Sequence, residues 1–416
     1  MISAPGSRGQ AAGAQAFDAA LRAAGLDASA IDRIVFGTSF APPLPPRAAG
    51  RGGRARALYQ SLMFRSGLYL LESDLSYRSR ATGLGTHAPQ AELEVISHPQ
   101  ALANLAYRTQ PARRCLTLTL SLGGDGVFAS AWMGSDGQLD PLWNQSTLAA
   151  LPLFLARIAE QLSLPVVERW ETLAQIAAAV QAPPGLLDHA RKQIFFDGRR
   201  FSRAPILDPA ADEQLWSVMG TYTKEEQAAT AQALLRSCAV SFVRFWVTQT
   251  RCHVVALSGA LFANSGVLGA LAEEGVADQL WTPPRLSGPG LAVGAALAST
   301  EAAPTARFDD ALGPAFDQRA ADAALDGMNL GASADHALAR AATSLARGGQ
   351  VAFFLGRQPM GRGGPLRRCI VSDPMQRPTG TADRLLIPAQ DAQRWVTIPP
   401  VAGDLSPHHP LRLPAT

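Results

Sequence analysis

The 416-residue chain has little charge and almost no lysine. Only 17% of its residues are charged, whereas 47% are hydrophobic. Two of its 37 basic residues are lysines, Lys192 and Lys224, and the formal net charge is only +3. The charge gives no basic footprint for a nucleic acid, and the composition is not that of a disordered chain. We therefore expect a folded protein that does not bind nucleic acid.

Cysteine pairs and long apolar runs are also missing. The four cysteines lie far apart without a CxxC motif, which argues against a zinc site and favours reduced core residues: Cys115, Cys238, Cys252 and Cys369. The longest apolar stretch, residues 254–272, is interrupted by Ser258, Asn264 and glycines, which is unfavourable for a membrane span. No charged region followed by an apolar segment opens the sequence. We expect a cytoplasmic protein that does not enter a membrane.

The length predicts two domains, because 416 residues exceed one ordinary hydrophobic core. Residues 304–316 are rich in turn-forming residues, and a new helix-strand pattern follows at 334–355. We place the boundary there, which gives an N-terminal domain of residues 1–303 and a C-terminal domain of residues 304–416.

Residues 115–133 alternate in hydropathy on both sides of a glycine-rich turn, which predicts a β-hairpin. Gly123, Gly124 and Gly126 would let the backbone approach a phosphate closely, although an ordinary hairpin turn has the same composition. Asp125 lies among them and is either a turn residue or a general base. The turn is a candidate phosphate site.

A second candidate anion site follows the apolar strand predicted at residues 252–257. Small residues including Gly259 lead to Asn264, after which a helix begins, and a helix start directs backbone N–H groups toward an anion. Asn264 is either a nucleotide contact or the cap of that helix. Gly290 belongs to a second glycine-containing helix start. Long helices are predicted before this region, at residues 146–162 and 225–248.

Several ordered motifs resemble those of carbamoyltransferases that modify nodulation factors and antibiotics. Residues 257–264 (LSGALFAN) and 290–296 (GLAVGAA) are similar to the family's LSGGVFAN and GlalGAA. Residues 118–126 (LTLSLGGDG) are similar to LTLDGxGDG, and residues 356–374 to GRxExGPRALGNRSIxxDP. The resemblance runs from about residue 15 to about residue 402.

This resemblance implies an α/β protein with an actin-like (ASKHA) domain and a smaller C-terminal YrdC-like domain. In the family, ATP and carbamoyl phosphate form a carbamoyl adenylate, and a metal site assists carbamoyl transfer to a hydroxyl group. The resemblance assigns phosphate contacts to Gly123, Gly124, Gly126, Gly259, Asn264 and Gly290. It assigns carbamoyl phosphate binding to Arg357 and Arg368.

The sequence departs from the family at the residues that carry chemistry. The four positions of the expected metal ligands hold residues that bind divalent metals poorly or not at all: Ser97, Ala101, Ser121 and Gly288. Only His98 remains of the histidine motif, and we expect the family's opening nucleotide-binding hairpin to be missing. Pro359 and Gly363 replace a glutamate and an arginine of the C-terminal motif. We therefore expect that the family metal site is not retained.

Three functions remain open on these grounds. The first is a non-catalytic homologue that pairs with an active carbamoyltransferase or another biosynthetic enzyme. The second is a diverged, metal-independent carbamoyl or acyl transferase that uses ATP and carbamoyl phosphate, with His98 and Asp125 as its catalytic residues. The third is a nucleotide or small-ligand sensor. No cofactor is expected unless the chain is active, and a homo-oligomer is a further expectation.

Overall fold

A computed structural model describes most of the chain between residues 91 and 300 and shorter pieces on either side. The described residues are 20–22, 24–37, 77–79, 91–165, 169–203, 209–283, 286, 288–300, 319, 323, 337–354, 357 and 368–372. The chain divides into two units, Met1–Phe308 and Asp309–Thr416. Residues 41–56, which are rich in Pro, Gly and Arg and are predicted to form a loop, lie outside the described residues.

The N-terminal unit begins with a three-stranded sheet. In this sheet β3 lies between β1 and β2, parallel to β1 and antiparallel to β2. Its strands are β1 (Arg33–Phe36), β2 (Tyr77–Ser79) and β3 (Glu92–Val95). Arg33 of β1 pairs with Glu94 of β3 at 3.2 Å, and it also donates a hydrogen bond to the backbone oxygen of Ser299, which joins the sheet to a segment 266 residues later in the chain.

A five-stranded mixed sheet forms the centre of the same unit, in the order β6-β5-β4-β7-β8. The first three strands are antiparallel neighbours, whereas β4, β7 and β8 run parallel to one another. The strands are β4 (Arg114–Gly124), β5 (Val127–Ser135), β6 (Gln138–Ser146), β7 (Val254–Ser258) and β8 (Gln279–Trp281). The predicted hairpin is therefore confirmed as β4 and β5.

Besides a helical segment at residues 20–24, of which residue 23 is not described, the described part of this unit has helices that accompany these strands. They are α1 (His98–Thr109), α2 (Ala150–Gln161), α3 (Arg169–Ala177), α4 (Pro184–Arg191), α5 (Pro209–Met219), α6 (Lys224–Thr250), α7 (Ser265–Glu273) and α8 (Pro289–Ala298). Short 3-10 helices span Ala28–Ala30 and Ala260–Ala263. The long helix predicted at 225–248 is confirmed as α6, which begins with a capping box between Thr223 and Glu226.

The central sheet is covered by helices on both faces, and β4 is buried on both. Leu116, Leu118 and Leu120 belong to the main core, which includes residues of α2 and α6. Cys115 points to the opposite face and packs with Tyr107 of α1. This alternation follows from the two-residue period of a strand. The α/β class is confirmed, and a mixed sheet between two helical layers is consistent with the expected actin-like domain.

Three cysteines confirm the interpretation of this residue type as core. Cys115, Cys238 and Cys252 are buried and free. Burial raises the pKa of Cys115 and of Cys238 to about 12, because the thiolate would be desolvated. The side chain of Cys369 lies outside the described residues.

The C-terminal unit contains a helix followed by a two-stranded antiparallel sheet in its described part. These elements are α9 (Ala337–Ala346), β9 (Gln350–Phe354) and β10 (Arg368–Ser372). The helix-strand pattern expected at 334–355 is confirmed, and the YrdC-like assignment stays a prediction. No helix in the described part of either unit is both long and apolar enough to cross a membrane.

Candidate functional site

Two segments predicted to bind phosphate meet at one edge of the central sheet. The strands β4 and β7 are parallel neighbours, so their carboxyl ends lie at the same edge. The backbone of Gly259, just after β7, lies so close to Leu120 of β4 that an added Cβ would overlap its carbonyl oxygen. The structure thus brings Gly259 near the β4–β5 turn.

The β4–β5 turn consists of Asp125 and Gly126, both with positive φ, +54° and +79°. Gly124 pairs with Val127 across this two-residue turn, so the local geometry is that of a tight hairpin. Gly123 is the next residue back in β4. The structure bears out the hairpin interpretation, and phosphate contact by these glycines stays a prediction.

Asp125 holds the start of helix α1. Its carboxylate accepts a hydrogen bond of 2.6 Å from the backbone N–H of His98, the first residue of the helix. Ser97, the residue in the N-cap position, does not cap the helix with its own side chain. A carboxylate is favourable here because it satisfies a helix N–H and faces the positive end of the helix dipole. Asp125 therefore caps α1 from a neighbouring element.

His98 packs directly on the same turn. A Cβ at Gly124 would overlap the imidazole ring, so glycine is required for this contact. The Nδ1 atom of His98 is buried and has no hydrogen-bond partner among the described residues. Burial lowers the pKa of His98, although the nearby Asp125 carboxylate acts in the opposite direction. The arrangement favours a neutral imidazole near neutral pH, which is the form a general base needs.

The positions of the family's metal ligands do not fit a metal ion. Ser97 and Ser121 are buried hydroxyl residues, Ala101 is a buried residue of α1, and Gly288 precedes α8. Alanine and glycine side chains offer no ligand atom, and a serine hydroxyl is a weak one. Within the part of the chain that the structure describes, no group of three or more His, Cys, Asp or Glu residues could hold a metal.

Asn264 is the cap of helix α7, one of the two roles considered for it. Its Oδ1 accepts hydrogen bonds from the backbone N–H of Val267 at 3.0 Å and from the Gln232 amide at 2.8 Å. Its Nδ2 donates to the carbonyl of Trp170 at 2.7 Å and to Gln232 at 2.8 Å. These four bonds use the full capacity of an amide side chain, and the residue is fully buried. Its nucleotide contact stays a prediction.

A carboxylate from the chain itself occupies the start of α7. Glu171, in the first turn of α3, accepts hydrogen bonds from both the backbone N–H and the hydroxyl of Ser265, at 2.9 and 2.8 Å. Ser265 is the first residue of α7. The N–H of Gly259 donates to the carbonyl of Leu286 at 2.8 Å. The N–H groups of Gly259, Ser265 and Val267 thus have partners within the chain, and Glu171 lies where an anion would be expected.

The remaining predicted residues belong to other elements of the chain. Gly290 is buried in the first turn of α8, a helix that packs on α1 so closely that a Cβ at Gly294 would overlap the Ala101 carbonyl. Arg357 is exposed in the C-terminal unit. Arg368 begins β10, and its side chain lies outside the described residues. Carbamoyl phosphate binding by the two arginines stays a prediction.

Comparison with known proteins gives one distant sequence relative and several weak structural ones. The chain is 23% identical over 322 residues to the nodulation protein NolNO of Sinorhizobium fredii. The match covers 73% of this chain and 46% of NolNO, so the chain spans about half the length of that relative. No protein-family model matches. The match supports the resemblance to carbamoyltransferases that modify nodulation factors.

Two solved structures share part of the fold at low similarity. The activator of 2-hydroxyisocaproyl-CoA dehydratase from Clostridium difficile is 18% identical, with a TM-score of 0.32 over 60% of this chain and 81% of that one. Component A of (R)-2-hydroxyglutaryl-CoA dehydratase from Acidaminococcus fermentans is 21% identical, also with a TM-score of 0.32, over 50% and 71%. At these scores neither likeness carries an argument about this chain.

Proposed function

We propose that this chain is a carbamoyltransferase-like protein without ATP-dependent transfer activity of its own. Its role would be that of a partner subunit for an active carbamoyltransferase, or for another enzyme that tailors specialised metabolites or surface sugars. The observation that carries the proposal is the closed start of α7. Glu171 and Asn264 accept hydrogen bonds from the N–H groups of Ser265 and Val267, two of the donors that a nucleotide phosphate would use at this helix start.

Electrostatics adds to this argument at both helix starts. A phosphate approaching α7 meets the carboxylate of Glu171, and one approaching α1 meets the carboxylate of Asp125. Like charges at such sites repel, and displacing either carboxylate would break its hydrogen bonds to the helix. Binding of a polyphosphate would therefore have to overcome both the repulsion by these carboxylates and the loss of their hydrogen bonds to the helices.

The expected metal positions support the same proposal. Ser97, Ala101, Ser121 and Gly288 do not fit the divalent ion that assists transfer in the family. Loss of a single electrostatic partner in a transition state typically costs about 10²–10³ in rate. We derive no step through a metal for this reason.

Three glycines around the site support the view that this region keeps a structural role without catalysing a reaction. Gly124, Gly259 and Gly294 each lie where a Cβ would overlap a neighbouring group. Such close contacts preserve the packing of α1, β4, β7 and α8 without requiring any reaction at the site. A surface presented by this fold is what a partner enzyme would recognise.

A second candidate, a diverged metal-independent transferase, is favoured by His98. Its imidazole has a lowered pKa and a buried Nδ1 without a partner in the described structure, and it lies beside the Asp125 carboxylate. A neutral histidine so placed could take a proton from an acceptor hydroxyl. This candidate needs the two substrates to bind, which gives the experiment that separates the proposals.

The test is calorimetric titration of the purified protein, with Mg²⁺ present, with a non-hydrolysable ATP analogue and then carbamoyl phosphate. We expect no saturable binding of either ligand at millimolar concentrations. The same sample, added to an active O-carbamoyltransferase, should change the turnover of that enzyme and co-elute with it. Saturable binding of both ligands, together with turnover that His98→Ala removes, would contradict the proposal and establish the second candidate.

A further inference from the structure

A cavity of about 330 Å³ lies between helices α2 and α5 and the segment that follows α4 in the N-terminal unit. None of the residues of the candidate site lines it. Its inner wall is apolar and consists of buried side chains: Ala150, Phe154, Ile194 and Leu215. Its rim carries Arg157, Asp212 and Glu213. An apolar interior with a few polar groups at the mouth is the usual composition of a small-molecule site, and the volume is at the lower end for one.

The arginine at the rim is already held in place. The guanidinium of Arg157 pairs with Asp212 at 3.1 Å and lies over the ring of Trp216, 4.1 Å from its centroid. The indole N–H of Trp216 donates to the other oxygen of Asp212 at 3.0 Å. The Asp212 carboxylate is therefore neutralised by Arg157, and the face of the arginine is covered by the indole.

The rim carries a second carboxylate, Glu213, whose charge is not neutralised by Arg157. It follows Asp212 in α5, is exposed, and has no hydrogen bond or ion pair among the described residues. With Arg157 balanced by Asp212, the lining keeps one negative charge. A ligand that fits must therefore bring a positive charge to the mouth and an apolar part to the inner wall.

We propose that this cavity binds a small primary amine with an apolar or aromatic body. The ammonium group pairs with Glu213, and the hydrocarbon part packs on Phe154, Ile194 and Leu215. An anionic ligand is disfavoured, because Arg157, the only cation among the described lining residues, is paired with Asp212. The proposal does not depend on whether the chain has transferase activity.

Three probes of matched size test the proposal: 2-phenylethylamine, the neutral 2-phenylethanol and the anionic phenylacetate. Their affinities are measured by ligand-observed NMR on the full chain. We expect the amine to bind tightest, about fivefold tighter than the alcohol, as one partly exposed ion pair allows. Equal binding of all three, tighter binding of phenylacetate, or no binding of the amine would each overturn the proposal.

Variants locate the binding. Glu213→Gln should reduce the affinity for the amine to that for the alcohol and leave the alcohol unchanged. Glu160→Gln, an exposed position of α2 outside the cavity, should change neither affinity. Leu153→Gln, at the half-exposed edge of the cavity, should weaken both probes. All three changes lie at the surface, so thermal unfolding should remain close to that of the parent chain. Amine binding that Glu213→Gln does not alter would overturn the assignment.

Discussion

Helices α1 and α7 both begin at the edge of the central sheet, and in both a carboxylate from another element accepts a hydrogen bond from the first N–H group of the helix. The two helix starts differ in what surrounds that carboxylate. At α1 the carboxylate comes from Asp125, in the turn of the adjoining hairpin, and leaves the imidazole of His98 with an unused nitrogen. At α7 the carboxylate comes from Glu171, 94 residues away in the chain, and the capping Asn264 is saturated with hydrogen bonds.

This difference separates a helix start whose capping side chain has used all its donors and acceptors from one that has an unpaired ring nitrogen in the described structure. Every side-chain donor and acceptor of Asn264 is committed, so α7 is built for stability. His98 at α1 keeps a neutral ring nitrogen that could act on a ligand. If the chain catalyses a reaction, substitutions at the start of α1 should change its activity. Substitutions at the start of α7 should instead lower the stability of the fold.

The largest effect is expected at Gly259, which holds the α7 segment against β4. Gly259→Ala places a Cβ against the Leu120 carbonyl at a φ of +104°, so it should lower the free energy of unfolding by about 2–5 kcal/mol. Gly275→Ala is the matched control, because its φ is +55° and no atom lies within 4 Å of the added Cβ. It should cost only about 1–2 kcal/mol, for the left-handed backbone alone. Equal losses in urea unfolding would contradict the close contact.

The second-largest loss of stability is expected on substitution of Asn264. Asn264→Ala removes the cap and the hydrogen bonds of Asn264 to the buried Gln232 amide and to the Trp170 carbonyl, so we expect a loss of about 2–4 kcal/mol. Thr223→Ala removes an exposed cap at α6 and should cost only about 1 kcal/mol. Chemical denaturation of both variants compares the two caps. A smaller loss of unfolding free energy at Asn264 than at Thr223 would mean that Asn264 does not make the described hydrogen bonds at the start of α7.

The charge at the α1 start should contribute less. Asp125→Asn keeps a residue that tolerates positive φ but removes the negative charge facing the helix, which should cost about 0.5–1 kcal/mol. Asp136→Asn makes the same change in the β5–β6 turn, also at positive φ (+48°), and caps no helix. Thermal unfolding should separate the two. An equal shift in both would remove the argument for capping by Asp125.

The smallest effect is the pH dependence that His98 introduces. Because burial lowers its pKa below 6.5 in the folded protein, the unfolded chain binds more protons as the pH falls below that value. The stability that depends on neutral His98 is complete above pH 6.5 and is lost on acidification toward the folded-state pKa. His98→Gln should flatten this part of the pH profile of unfolding. His253→Gln makes the same substitution at an exposed histidine and is the control for the change of residue type.

Periodic segments of the fold could be predicted from the sequence, whereas long-range partnerships could not. The hairpin of β4 and β5 and the helix α6 follow from their apolar spacing, and Asn264 could be expected as a cap from its place before a helix. Strand β6 was missed because it lies at the sheet edge, carries many polar residues and includes Pro141. The roles of Glu171 and Gln232 left no local signal, because their partners lie 94 and 32 residues away.

Helix α1 was missed for a different reason. Its first residues match the remnant of a metal-binding motif, and that match does not predict a helix. Leu102 and Leu105 nevertheless have helical spacing after Pro99, a residue that often begins a helix. The apolar spacing of residues 102–106 could have revealed the helix. The capping role of Asp125, by contrast, depends on the hairpin turn meeting this helix, which no single segment encodes.

Amide hydrogen exchange at Ser265 tests the central claim most directly. The first N–H of a helix normally exchanges fast because it has no partner within the helix. Since Glu171 accepts from this N–H, we expect Ser265 to be protected in the parent chain and to exchange rapidly in Glu171→Ala, while the later amides of α7 remain protected. Fast exchange of Ser265 in the parent chain would show that the helix start is open to an anion, and would contradict the account.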